Sequence, residues 1–419
     1  MNRIYFCIDL KTFFASVECV ERGLDPFKTD LVVADPDRGR GSICLAISPS
    51  MKNKGIKNRC RVFEIPKNVI PIVAKPRMKK YIEYASKIYG VYLKYISKDD
   101  IHVYSIDEAF LDVTSYLKLY NKSYIELAKM IMKDIYDTTG ITSACGIGTN
   151  LYLAKIALDI TAKHSKDNIG YLDEEKYINE LSHHLPLTDF WHIGIGIESR
   201  LNKLHLKDMY DISRCDENIL YKEFGINAKI LIDHSKGIEP TTIKDIKNYK
   251  HKSSSMSNGQ ILFRDYDYRD ARVVLIEMFD NLTNNLVSKE MVTDSISFVI
   301  GYSKDIIPSL KVSKKLDRET NSFRTILSYV LKEYDYLIKE KYKIRRINVC
   351  FNNIHKKKYE QLDIFGKVEE ENKELKIEKV INDIKGKYGK NSILRAISYV
   401  EGANQRDRNK MIGGHNAGS

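Results

Sequence analysis

Residues 101–113 read "IHVYSIDEAFLDV". Apolar residues alternate toward both ends, which predicts two short strands, 101–106 and 109–114. On the turn between them stand two adjacent acids, Asp107 and Glu108. Two ionised carboxylates about 4 Å apart repel by roughly 4 kcal/mol at an effective dielectric near 20. A solvated turn softens that cost, and a surface turn is the commoner setting of an isolated acid pair. A third acid on the same edge, together with a use for divalent cations, reverses the balance.

The third acid comes from topology. "RIYFCID" (3–9) is a β-rich run ending in Asp9, and "KTFFASVECVERG" (11–23) follows with Phe13, Phe14, Val17 and Val20 at helical spacing. After the hairpin, "SYIELAKMIMKDIYDTTG" predicts a helix, "TSACGIGT" a strand and "NLYLAKIALDITAKH" a second helix. The order is β-α-β-β-α-β, the split βαβ arrangement of ferredoxin-like folds, with a long insertion after the first helix. There the first strand and the first hairpin strand run the same way, with the second hairpin strand antiparallel between them. Asp9 is therefore expected on the same sheet edge as Asp107 and Glu108. Hard oxygen ligands of this kind select Mg²⁺, which binds through a few carboxylates plus substrate phosphates. A two-metal site of this type serves in-line displacement at phosphorus. Position 11 is Lys, so no further acid follows Asp9 closely.

Bulk composition agrees with a partner of opposite charge. The 419 residues suggest two to four domains, are 43% hydrophobic and 30% charged, and carry a net charge of +12. Such an excess suits a polyanion, though alone it separates nucleic acid only weakly from a membrane surface. No apolar run is long enough to cross a bilayer, and "MNRIYFCIDL" reads as a strand, not a leader, so a cytoplasmic protein is expected. The seven cysteines are scattered and never spaced CxxC, which argues against disulfides or a zinc site.

Other residues fit the same chemistry, each beside a plainer reading. Phe13 reads mainly as core, whereas Phe14, just beyond the acid-bearing strand, is placed to wall off a ribose 2′-hydroxyl. Lys155 in "NLYLAKIA" and Lys52 in the basic insert are solvated lysines by default, yet both are placed to reach a triphosphate. "DFWHIGIGIESRLNKLHL" (189–206) has the helix–hairpin–helix pattern, in which backbone N–H groups near Gly194 and Gly196 grip a DNA phosphate without reading bases. The polar, Ser-rich stretch from 241 reads as a tether. A second α+β module follows it. Gln361, Leu362, Ile364 and Phe365 in "QLDIF" form an apolar plug on a polar chain, a core segment or a peptide that docks in a partner's groove. A charged helix is expected after the plug, and the Gly-rich end is expected to be mobile.

"TFFASVE", "SIDEAFLDV", "CGIGTNLYLAKIA" and "HIGIG", in this order and spacing, resemble a Y-family translesion DNA polymerase over roughly residues 1–355. "AISPSMKNKGIKNRCRVFEIP" and the "IGGH" tail look most like the bacterial branch related to the catalytic subunit of polymerase V. The resemblance implies an α+β right hand. Its parts would be a ferredoxin-like palm (1–10 and 78–166), small fingers (11–77), a helix–hairpin–helix thumb (167–240), a linker (241–254), an α+β little finger (255–356) and a C-terminal tail (357–419). It implies two Mg²⁺ ions on Asp9, Asp107, Glu108 and the Leu10 main chain. Nucleotide contacts would come from Phe13, Phe14, Lys52 and Lys155, and DNA contacts from Gly194 and Gly196. Its substrates would be primer–template DNA and a dNTP. "QLDIF" matches the pentapeptide that docks on the bacterial sliding clamp, and a monomer with no membrane association is expected. Pro49 stands where many relatives carry a triphosphate-contacting tyrosine, and Lys52 stands for an arginine. The competing reading is a catalytically silent DNA-binding or clamp-recruited accessory protein on the same fold. A nucleotidyl cyclase would share the palm and the metals but has no need of the hairpin or the second basic module.

Overall fold

Alternation in "YFCIDL" produces strand β1 (Tyr5–Leu10), whose residues are buried except for the half-buried Asp9. In a computed structural model that describes residues 3–251, 254–357 and 367–418, β1 is the middle strand of a five-stranded sheet. Helix α1 (Phe13–Val20) follows at once, burying Phe13, Ala15, Val17 and Cys19. The insertion forms a small three-stranded sheet from β2 (Leu31–Val33), β3 (Ala46–Ile47) and β4 (Ile72–Ala74), with the short helix α2 (Pro49–Asn53) after β3. Helix α3 (Met78–Tyr95) returns the chain to the main sheet, where β5 (Ile101–Val103) and β6 (Glu108–Asp112) make the hairpin.

Helices α4 (Thr114–Tyr120) and α5 (Tyr124–Thr139) lead to β7 (Ser143–Gly148), then α6 (Leu151–Ile156) and β8 (Ile169–Leu172). The strand order is β5-β6-β1-β7-β8. β6 is antiparallel to both β5 and β1, so β5 runs with β1 as the split βαβ pattern requires. β8, parallel to β7, extends that pattern by one strand.

The two expected hairpin strands are shorter than their alternation suggests. Tyr104 and Ser105 both donate backbone N–H groups to the Glu108 carbonyl, each at 3.0 Å, which closes the turn early and puts Glu108 at the start of a strand. Beyond β8 lies a bundle of short helices: α7 (Glu174–Leu181), α8 (Ile195–Lys203), α9 (Met209–Arg214), α10 (Glu217–Phe224) and α11 (Ala228–Ser235). The expected tether begins as helix α12 (Ile243–Asn248). Thr242 and Asp245 form a capping box there, and Ile243 is buried. These elements belong to one unit, Met1–Tyr249 with Gly418–Ser419.

The second unit is Lys250–Ala417. Strands β9 (Met256–Tyr266), β10 (Met291–Tyr302), β11 (Leu310–Thr320) and β12 (Ile344–Asn352) form an antiparallel sheet in the order β11-β10-β12-β9, and β13 (His355–Lys356) pairs with β10. Helices α13 (Tyr268–Ser288) and α14 (Phe323–Leu337) pack on this sheet through Phe279, Leu282, Ile326 and Val330. Helix α15 (Lys367–Tyr388) is the expected charged helix.

The chain end differs from expectation, because it docks. Glu277 of α13, 1% exposed, accepts the Asn404 N–H at 2.9 Å and the Gln405 N–H at 3.2 Å as α16 (Gln405–Arg408) begins. A two-stranded turn, β14 (Met411–Ile412) with β15 (His415–Asn416), follows. No described helix is long and apolar enough to cross a membrane.

Candidate active site

β1 and β6 pair so that Asp9 lies opposite Glu108, and the Leu10 N–H donates to the Asp107 carbonyl at 2.9 Å. The three acids that sequence reasoning selected are thus brought to one sheet edge, with the Leu10 main chain as the link between them. Each carboxylate has its own support. Asp107 Oδ1 accepts from the Ser105 hydroxyl at 2.7 Å. Glu108, whose side chain is 10% exposed, holds Lys155 Nζ at 2.8 Å and accepts from the Cys7 thiol at 3.1 Å. Asp9 Oδ2 stands 3.6 Å from Lys163 Nζ.

Asp9 is raised to about 6, chiefly by burial, with Lys163 opposing the rise and Asp107 and Glu108 adding to it. Among the described residues no three His, Cys, Asp or Glu side chains already surround one point as metal ligands do. Each acid instead faces a partner of its own: a hydroxyl at Asp107, an ammonium and a thiol at Glu108, and an ammonium near Asp9. The donor set is nevertheless all hard oxygen. A buried carboxyl raised by its burial, with two further acids adding to the rise, calls for added positive charge, so the residues present fit divalent cations in kind.

Lys155 is not the free lysine that its sequence position suggests. It is 7% exposed and bridges Glu108 to Asp159, whose Oδ2 lies 3.0 Å away. Burial opposes its charge, and the surrounding anions outweigh that and raise it. Asp159 also holds Lys163 Nζ at 2.7 Å. Sequence reasoning missed both Asp159 and Lys163. The signal available was the four-residue spacing Lys155, Asp159, Lys163, which on a helix aligns the three side chains.

The backbone adds a second device. Residues Ala157–Thr161 form a π-helical turn, and the helix lies directly on β7 and β8. A Cβ on Gly146 would stand 2.1 Å from the Ala154 carbonyl oxygen, and one on Gly148 would stand 2.2 Å from the Ala154 nitrogen. Only glycine strands admit the lysine-bearing helix this close to the acids.

Two further lysines complete the surroundings. Lys52, on α2, and Lys11, just after β1, both feel Asp9 and are lowered by burial and by the nearby Lys163. Crowded ammonium groups that lose basicity in this way suit a polyanionic ligand. Pro49 opens α2 as its first residue and has no donor to offer. Phe13 is core, 2% exposed. Phe14 is half-buried and stacks on Tyr81 with centroids 4.5 Å apart and planes at 18°. The Tyr81 hydroxyl donates to Glu18, itself 0% exposed and held by Arg77.

The expected turn at Gly194 and Gly196 is instead a helix start: the preceding limb is a 3₁₀ turn, Leu187–Asp189, and Gly196 already lies in the first turn of α8. Gly194 caps α8, nothing lies within 4 Å of a Cβ built on either glycine, and Ile195 between them is 80% exposed. Gln361, Leu362, Ile364 and Phe365 lie outside the described residues.

Comparison with known proteins agrees with this frame. The impB/mucB/samB family model matches residues 8–159, and the model of the same family's C-terminal domain matches residues 253–364. A Bacillus subtilis (strain 168) protein named "Putative UV-damage repair protein UvrX" is 32% identical over 98% of this chain and 96% of its own length. "DNA polymerase IV 2" of the same organism is 28% identical over 99% of both chains. Among solved structures, a "Y-family DNA polymerase chimera Dbh-Dpo4(243-245)-Dbh" shares the fold, with a TM-score of 0.66 and 22% identity over 84% of this chain and 100% of that one. The chain therefore belongs to the impB/mucB/samB family, and it shares the fold of a Y-family DNA polymerase.

Proposed function

We propose that this chain is a DNA-directed DNA polymerase for translesion synthesis, adding a deoxynucleotide to a primer 3′-hydroxyl with release of pyrophosphate. The observation that carries the reading is the meeting of Asp9 with the Asp107–Glu108 corner beside Lys11, Lys52, Lys155 and Lys163. Asp9, Asp107, Glu108 and the Leu10 carbonyl would hold two Mg²⁺ ions. Such ions lower the pKa of an attacking hydroxyl and neutralise charge on a triphosphate.

The chain's own groups supply the rest. Lys163, Lys52 and Lys11 bind and orient the triphosphate, taking the place of the donor that Pro49 lacks. Lys155 holds Glu108 in position from behind. Phe14, backed by Tyr81, is the wall against a 2′-hydroxyl. In this reading β1 and β5–β8 with α3 to α6 are the palm, and the insertion with β2 to β4 is the fingers. The helices around Gly194 and Gly196 are the thumb, gripping a DNA phosphate. The sheet β9 to β12 is the little finger, and Gln361 to Phe365 dock on a sliding clamp. Placement nearest the polymerase V branch rests on the insert sequence and on the "IGGH" turn.

Primer extension with Mg²⁺ tests the reading. Wild-type protein should extend a primer, and Asp107→Ala and Glu108→Ala should each lose nearly all activity. Undiminished extension by both variants would dispose of the assignment.

A further inference from the structure

The segment before the glycine-bearing start of α8 touches the acid hairpin itself. The Trp191 Nε1–H donates to the Tyr104 hydroxyl at 3.2 Å, across 87 residues of sequence. Its ring meets Tyr104 edge-on at 5.8 Å and lies 5.8 Å from Phe110. Phe110 follows Glu108 by two on β6, so both side chains leave the same face of the sheet. On its other side Trp191 stacks on His192 at 4.2 Å. His192 carries φ +70°, a left-handed conformation that costs a residue with a Cβ some energy and that its surroundings must hold in place.

Within its own sheet the hairpin limb that Trp191 touches is held by pairing with β6, by buried Ile101 and by His102 and Tyr104 against Phe110. β5 is three residues long and lies at the sheet edge, with Val103 54% and Tyr104 46% exposed. Yet Tyr104 and Ser105 supply the two N–H groups that close the turn on Glu108, and the Ser105 hydroxyl holds Asp107. The limb that aims both acids is thus held also by a contact from outside its own sheet.

We propose that Trp191 and Tyr104 form a positioning pair that fixes the acid turn relative to the glycine-bearing helix start that grips DNA, so that the two are set as one piece. The proposal rests on the polymerase reading above and adds a role for two residues that touch neither metal nor substrate. Trp191→Phe keeps a ring and removes the N–H donor; Tyr104→Phe keeps a ring and removes the acceptor. Either change should slow single-turnover incorporation roughly threefold to tenfold, the effect of losing one hydrogen bond. Primer–template affinity should stay within about twofold, because the phosphate-gripping helix start is intact. The double variant should be no slower than the slower single one, since both remove the same bond.

Hydrogen exchange gives a readout independent of activity. Amides of residues 104–108 should exchange faster in both single variants without DNA, while those of α6 stay as in wild type. A purely structural role in the helical bundle would instead lower the melting temperature and leave residues 104–108 unchanged. Unchanged rates and exchange, or two slowings that multiply in the double variant, would overturn the proposal. A wild-type protein that incorporates nothing would refute the polymerase reading, and the exchange experiment would still decide the coupling.

Discussion

The backing of Phe14 can be broken from a distance. Glu18 sits on α1 with its side chain 0% exposed, accepting Arg77 Nη2 at 2.8 Å and the Tyr81 hydroxyl at 2.8 Å, and pairing with Arg22. Burial alone would raise this carboxyl. Hydrogen bonds from Arg77, Arg22 and Tyr81 outweigh burial and hold it below its ordinary value of 4.5. Removing one partner of a buried charge pair costs about 3–5 kcal/mol. Here the two guanidiniums are 34% and 36% exposed and regain water, which points to the lower end. Glu18→Ala should therefore cost about 3 kcal/mol, or about 6–12 °C in Tm for a unit of this size.

The consequence for function follows from the stack of Phe14 on Tyr81. With Glu18 gone, Tyr81 loses the acceptor that fixes its ring, and Phe14 loses a rigid support. Discrimination against ribonucleotides should fall in Glu18→Ala, and fall less in Glu18→Gln, which keeps an acceptor for Tyr81. The sign of the pH effect is fixed by the lowered carboxyl. Its contribution is fully present above pH 4.5 and is lost as pH falls through the lower folded value. Calorimetric scans should show the gap between wild type and Glu18→Gln closing in acid. A Tm within about 2 °C of wild type for Glu18→Ala would refute the energetic argument. A large drop in Tm with sugar selectivity unchanged would refute the link to Phe14.

Glycine substitutions should separate packing from binding: Gly146→Ala and Gly148→Ala meet backbone at 2.1 and 2.2 Å and should cost about 3 kcal/mol or more in thermal unfolding. Gly194→Ala and Gly196→Ala meet nothing within 4 Å, so they should keep Tm while weakening DNA binding in anisotropy titrations. Lys163→Ala should mainly raise the KM for nucleotide in steady-state incorporation. Lys155→Ala, which leaves Glu108 and Asp159 without their shared cation, should lower both kcat and Tm. Gln361→Ala combined with Phe365→Ala should abolish clamp pull-down and spare unaided extension; retained clamp binding would defeat that assignment.

The acid corner was legible because it depends on two robust signals, period-two alternation and the order of strands and helices. A strand's length in residues decides which face a side chain takes, and a split βαβ order decides which strand ends meet. Neither signal requires knowing a single long-range contact in advance, so Asp9 could be matched to Asp107 and Glu108 from the chain alone. The same alternation overran the ends of the hairpin strands, because it is blind to the backbone bonds that Tyr104 and Ser105 send to Glu108.

What stayed hidden was decided by backbone proximity and by polar docking. Lys155, Asp159 and Lys163 look like a solvated charge ladder until Gly146 and Gly148 bring their helix against the strands. Lys155 is then buried against Glu108 and Lys163 faces Asp9 as its counter-charge, with Asp159 held between the two lysines. The chain end was hidden for a related reason. Helix α15 is tied to its unit by Glu371 to Arg318 at 2.9 Å and by Glu374 to Ser322 at 2.5 Å, while Glu378, 3% exposed, meets Arg395. An element docked through carboxylates shows no apolar stripe for periodicity to detect, and its composition is that of a segment left in solvent. In helix α12 the cue was present, since Thr242 and Asp245 spell a capping box inside the polar run. Composition argued for a tether there and local hydrogen bonding for a helix. The local term prevailed, because a capped start satisfies otherwise orphaned N–H groups and the buried Ile243 anchors the turn.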